Sequence, residues 1–123
     1  MCKLIIGIKS EGKNQKFEDI FIAQRQSLFS ENDGIGALVI THDGQIKTKR
    51  QVTGYKEVFN WALEQAPEAK LLSIHTRTGT SGSRDITNVH FFENDGHYFA
   101  HNGFVLKYGA WNNRIGFGSY TNN

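Results

Sequence analysis

Apolar and polar positions repeat along this chain with two different periods. Residues 3–8 read Lys-Leu-Ile-Ile-Gly-Ile, a short β-branched run that predicts a buried strand. From Phe17, apolar side chains fall at 17, 20, 21 and 28, with Ala23 between them, which predicts an amphipathic helix after a polar loop over 10–15. Glu31-Asn32-Asp33-Gly34 has turn chemistry. Two strands, 35–41 and 45–52, flank His42-Asp43-Gly44, and the Asp-Gly pair predicts a hairpin. In the second of them Ile46, Thr48, Arg50 and Val52 alternate with Lys47 and Lys49. The clearest helix runs over 55–66, where Tyr55, Val58, Phe59, Ala62, Leu63 and Ala66 share one face. Thr53 is its expected N-cap, and Pro67 ends it. The later part is richer in strands, at 71–76, 88–92 and 97–101, after which Asn102-Gly103 leads into 104–108. The loop 77–85 and the turn Glu93-Asn94-Asp95-Gly96 separate them. The order β-α-β-β-α-β-β-β predicts an α+β class, with sheets gathered inside and helices on the outer faces.

Composition narrows the function more than the fold. A chain of 123 residues, 38% hydrophobic, reads as one domain spanning 1–123. No apolar run approaches the roughly 20 residues of a membrane span, so no membrane partner is expected, nor is a secretory signal. The net charge of +2 is too small to point to nucleic acid; Lys47, Lys49 and Arg50 read as a solvated strand face. The lone cysteine cannot form an internal disulfide, which places the chain in a reducing compartment, the cytoplasm. His75, His90, His97 and His101 lie in one region, but no cysteine or carboxylate pair completes a familiar ligand set, and no metal or other cofactor is expected.

The cysteine is at position 2. Once Met1 is removed, Cys2 carries a free α-amine whose ordinary pKa of roughly 7.7–8 makes it a base near neutral pH. Nucleophile and base then belong to one residue, whereas with Met1 retained the nitrogen is an amide and cannot act as a base. Three further motifs stand out. His75-Thr76-Arg77-Thr78-Gly79-Thr80-Ser81-Gly82 opens a loop of small residues in which Arg77 offers a planar fork suited to a carboxylate. Asn88-Val89-His90 places two polar side chains on one strand face. In His101-Asn102-Gly103, the Asn amide and the Gly N–H are candidates for an oxyanion hole. Taken singly, each has an ordinary reading: a small residue near the start, a solvated arginine, a sheet histidine and a hairpin turn.

Taken together, in this order and spacing, the four motifs resemble the class II glutamine amidotransferases, N-terminal-nucleophile hydrolases folded as an αββα sandwich. The resemblance is scattered over residues 2–103 and is densest over 71–104. It implies that Cys2 attacks the side-chain amide of glutamine, with its own amine as base and then acid. It implies that Arg77 anchors the substrate α-carboxylate, that Thr80 lines the same pocket, and that Asn102 and Gly103 form the oxyanion hole. The products would be glutamate and an ammonia molecule passed to an acceptor, with no cofactor involved. This chain departs from the family in three places. Thr78, Gly79 and Ser81 stand where the family loop has Trp, Ala and His; Phe91 follows Asn88-Val89-His90 where the family has proline; and the Ser-Asp motif that holds the substrate amine is absent after Gly118-Ser119. The sandwich is therefore expected to be incomplete in these residues, leaving sheet edges and an apolar face for a C-terminal remainder, a partner chain or a second copy to cover. The departures also define the alternative function, a catalytically silent member acting in binding or assembly.

Overall fold

The structure is a computed structural model that describes residues 2–9, 17–30, 33–78, 86 and 89–100. The expected loop over 10–15, most of the loop over 77–85 and the segment 104–108 lie outside the described residues. The elements in chain order are β1 (Lys3–Ile8), α1 (Phe17–Ala23), α2 (Arg25–Phe29), β2 (Ile35–Thr41), β3 (Ile46–Gln51), α3 (Tyr55–Gln65), a single 3-10 turn (Ala66–Glu68) that takes in Pro67, β4 (Ala69–Thr76), β5 (Phe92–Asn94) and β6 (His97–Phe99). This is an α+β arrangement. Among the described residues, β1, β4, β2 and β3 form one antiparallel sheet in that order, and β5 pairs with β6 in a second, two-stranded sheet.

Alternation along the strands gives the large sheet two different faces. One carries Ile35, Ala37 and Val39 of β2 with Leu72 and Ile74 of β4, all fully buried. The helices cover that face through Phe21, Leu28, Val58, Phe59 and Ala62, and these residues together make the core. Phe29 joins α2 to α3 by edge-on contacts with Phe59 at 5.5 Å and Tyr55 at 6.1 Å. The other face carries a cross-strand row of Ile8, Leu71, Ile40 and Ile46. Ile8 is 66% exposed and Ile46 is 44% exposed. At this end of the sheet the packing therefore rests on the helix-covered face. Phe59→Ala is expected to cost about 3–5 kcal/mol in urea unfolding, whereas Ile8→Ala is expected to stay within about 0.5 kcal/mol.

Several boundaries differ from the sequence expectation. The helix expected from Phe17 onward is two short helices separated by a turn at Gln24. The N-cap of α3 is Gly54, not Thr53; the residue is left-handed, with φ +77°, and no side chain caps the helix. β4 begins at Ala69 rather than Leu71. Val89 and His90 bend instead of extending, so the strand expected over 88–92 begins at Phe92.

The basic strand β3 is tied into the domain. Lys47 Nζ lies 3.4 Å from Gln65 Oε1, Lys49 Nζ lies 3.3 Å from Glu57 Oε1, and Arg50 reaches the other face. A side-chain hydrogen bond with Gln51, followed by the contact with Lys49, holds the Glu57 carboxyl below its ordinary value. A carboxylate lowered in this way supports the fold above its unfolded-state pKa and loses that support as the pH falls.

Candidate functional site

Cys2 precedes β1 directly and is 4% exposed. By alternation it shares a sheet face with Leu4, and on β4 the same face carries Ser73, His75 and, one step past the strand, Arg77. Lys3 pairs with Thr76, so the next position sets Cys2 across from Arg77. The Cys2 S–H points to the Thr78 carbonyl, with Sγ 3.9 Å from the oxygen. Two residues that are 76 positions apart in sequence, Cys2 and Thr78, thus meet at one end of the sheet.

The backbone of Arg77 is fixed from its other side. Its N–H donates to the Gly34 carbonyl at 2.7 Å, and its carbonyl accepts from the Asp33 N–H at 2.7 Å. Gly34 is itself clamped by the first residue of α3: the Tyr55 hydroxyl donates to the Gly34 carbonyl and accepts from the Gly34 N–H, both at 2.8 Å. This clamp has no signature in the sequence, because Tyr55 fits the apolar face of α3 equally well as packing. Tyr55→Phe keeps the ring contact with Phe29 and strands the Gly34 N–H. The expected loss is about 1–3 kcal/mol, measured by urea unfolding.

Arg77 is completely buried, which corrects the reading of it as a solvated loop charge. Arg77 follows directly on the end of β4, and tertiary packing rather than loop polarity decides its exposure. His75 and His90 are fully buried as well. Their rings stack with centroids 3.8 Å apart and planes 18° apart, and His90 leans on Phe92 at 4.5 Å. The peptide between His90 and Phe91 is cis. Two further contacts hold this segment on the sheet. Arg50 donates from Nη1 to the Val89 carbonyl at 2.8 Å. Gly36 lies so close that a Cβ there would sit 1.5 Å from the His90 carbonyl oxygen. The signal for that approach was present in the sequence as a glycine inside an apolar strand, Ile35-Gly36-Ala37.

The structure therefore brings Cys2 and Arg77 to one end of one sheet face, with His75 and His90 beside them. The other expected site residues, Thr80, Asn102 and Gly103, lie outside the described residues, as do Asn88 and His101. His97 is exposed at the hairpin, with Nδ1 3.0 Å from the Asp95 carbonyl oxygen. No group of three or more His, Cys, Asp or Glu suited to a metal occurs among the described residues. No helix among them is long and apolar enough to cross a membrane. A cavity of about 390 Å³ lies at the opposite end of the sheet, lined by Thr41, His42, Asp43, Gln45, Pro67 and Glu68. There the Thr41 hydroxyl donates to Asp43 and is the main cause holding its carboxyl below the ordinary value. No protein-family model matches the chain, and no curated protein matches it.

Proposed function

We propose that this chain carries an amide-hydrolysing site specific for glutamine, built on Cys2 as an N-terminal nucleophile within an αββα-type sandwich. The observation that carries the proposal is that the β1–β4 register runs to Lys3 and Thr76 and the Cys2 sulfur reaches the Thr78 carbonyl, which brings Cys2 and Arg77 to one end of the sheet. The layering supports it too: helices on one face of the large sheet, and on the other the segment that leads into a second sheet.

In this reading Met1 is removed and the Cys2 thiol passes its proton to the new α-amine. The sulfur attacks the side-chain carbonyl carbon of glutamine, while Arg77 holds the α-carboxylate and Thr80 lines the pocket. Asn102 and Gly103 stabilise the oxyanion. Collapse expels ammonia, which takes its proton from the α-ammonium, and leaves a glutamyl thioester. The amine then takes a proton from water as the water attacks the thioester, which releases glutamate and restores the thiol. Substrate entry requires the Thr78 carbonyl to give up its contact with the sulfur.

One observation favours the silent alternative, a binding or assembly module. The Arg77 side chain has no exposed surface, whereas an anchor must meet its ligand. A glutamine-mimicking electrophile separates the two readings. Met-free protein is expected to gain one adduct on Cys2, blocked by excess glutamine; protein that hydrolyses no glutamine and gains no adduct is the silent module.

A further inference from the structure

Two imidazoles on this sheet face have no part in the proposed chemistry. His75 comes from β4, and His90 from the segment that leads into the second sheet. Both are fully buried, and they stack face to face at 3.8 Å. We propose that the His75–His90 stack is an acid-sensitive latch, which holds residues 89–99 on the large sheet at neutral pH and releases them as the pH falls. The latch does not require Cys2 to be a nucleophile, so a chain without glutaminase activity would open in the same way.

The physical basis is the cost of charge in that position. Neutral rings stack on each other and on Phe92 with little penalty, but two imidazolium ions at this separation repel, and each would also lose its water. The neighbours add to the effect. Around the stack, β1 contributes Leu4 beside His75 and then the Cys2 thiol, and β2 contributes Gly36, which has no side chain. β3 contributes the Arg50 guanidinium, bonded to the Val89 carbonyl just before His90. β4 itself contributes Ser73 and the buried Arg77 on either side of His75. Asp33 brings a carboxylate to the same end through its backbone pairing with Arg77.

The sign follows from linkage. Groups held neutral when folded, but free to charge when released, give full stability above the ordinary histidine pKa and lose it as the pH drops below that value. That value is about 6.5. With two such groups, the ratio of latched to released chain falls by up to about 100-fold for each pH unit below that point.

The contacts that would be lost are local. The stack, the Arg50–Val89 bond and the Gly36–His90 approach all fasten 89–92, whereas β2 and β4 stay held by the helix-covered core. Release is therefore expected to be sub-global, with the hairpin leaving and the large sheet remaining.

Amide hydrogen exchange on the full chain, corrected for intrinsic rates, tests this between pH 7.5 and 5. The expected result is loss of protection at Phe92–Phe99 below about pH 6.5, with Val39 and Ile74 still protected. The double variant His75→Phe/His90→Phe keeps an aromatic stack that cannot charge, and its hairpin is expected to stay protected throughout. Hairpin protection in the wild-type chain that does not change with pH would overturn the latch, as would an acid transition that persists in the double variant. Should the double variant fail to fold, NMR titration of the wild-type imidazoles decides instead: both rings charging while the hairpin stays protected refutes the proposal, and charging in step with hairpin release supports it.

Discussion

Removing the sulfur of Cys2 is expected to lower glutamine hydrolysis by at least about 10³-fold while leaving the domain folded, since a nucleophile is lost and little packing goes with it. Ammonia release from Cys2→Ala, set against urea unfolding of the same protein, makes the separation. The side chain is small and lies at the edge of the core, so the loss of stability is expected to be about 1 kcal/mol. A second protein sharpens the result. A chain that keeps a residue ahead of Cys2 retains the thiol but has an amide where the base should be, and it should be as inactive as the alanine variant. If that blocked chain hydrolyses glutamine at the full rate, the α-amine is not the base and the N-terminal-nucleophile assignment fails. The two variants thus test the sulfur and the nitrogen of one residue independently.

The largest effect on the seating of the 89–92 segment is expected at Gly36. A Cβ at this position would sit 1.5 Å from the His90 carbonyl oxygen and 2.5 Å from its carbon, and both are backbone atoms that cannot turn aside as a flexible side chain can. Gly36→Ala must push the 89–92 segment off the sheet, which separates His90 from His75 and Val89 from Arg50. The expected loss is about 3 kcal/mol in urea unfolding. Gly44 in the β2–β3 turn is the control. Nothing lies within 4 Å of a Cβ there, but its φ is +89°. Gly44→Ala therefore pays only for backbone strain, about 1–2 kcal/mol, and should leave hydrogen exchange in the hairpin unchanged. Equal effects at the two glycines would mean that the Gly36 approach contributes no more than an ordinary turn.

The elements legible in the sequence are those whose pattern depends on local period. β1 and β2 are short continuous apolar runs, α3 has one apolar face, and the Asp43-Gly44 turn separates β2 from β3. What the pattern missed was decided by contacts between distant residues. Val89 and His90 have good strand propensity, yet they bend because a stack and an arginine hold them down. Thr53 has the better capping side chain, but the chain enters α3 through a left-handed Gly54 that only glycine adopts readily. At the site, Cys2 and Arg77 were singled out by residue type and motif, and the register set them side by side. The pairing of His75 with His90 has no local signature, because it depends on a segment folding back over the sheet.

The position of β1 at the sheet's margin sets the timing of events on the ribosome. Among the described residues its only strand partner is β4, through pairs as distant as Lys3 with Thr76. In a nascent chain Lys3 therefore has no strand partner among the described residues until Thr76 has been made, 73 residues later. At a synthesis rate of about 5–20 residues per second, that interval lasts roughly 4–15 s. During it the Lys3–Ile8 segment has only transient company, and afterwards strand pairing with β4 leaves Cys2 buried.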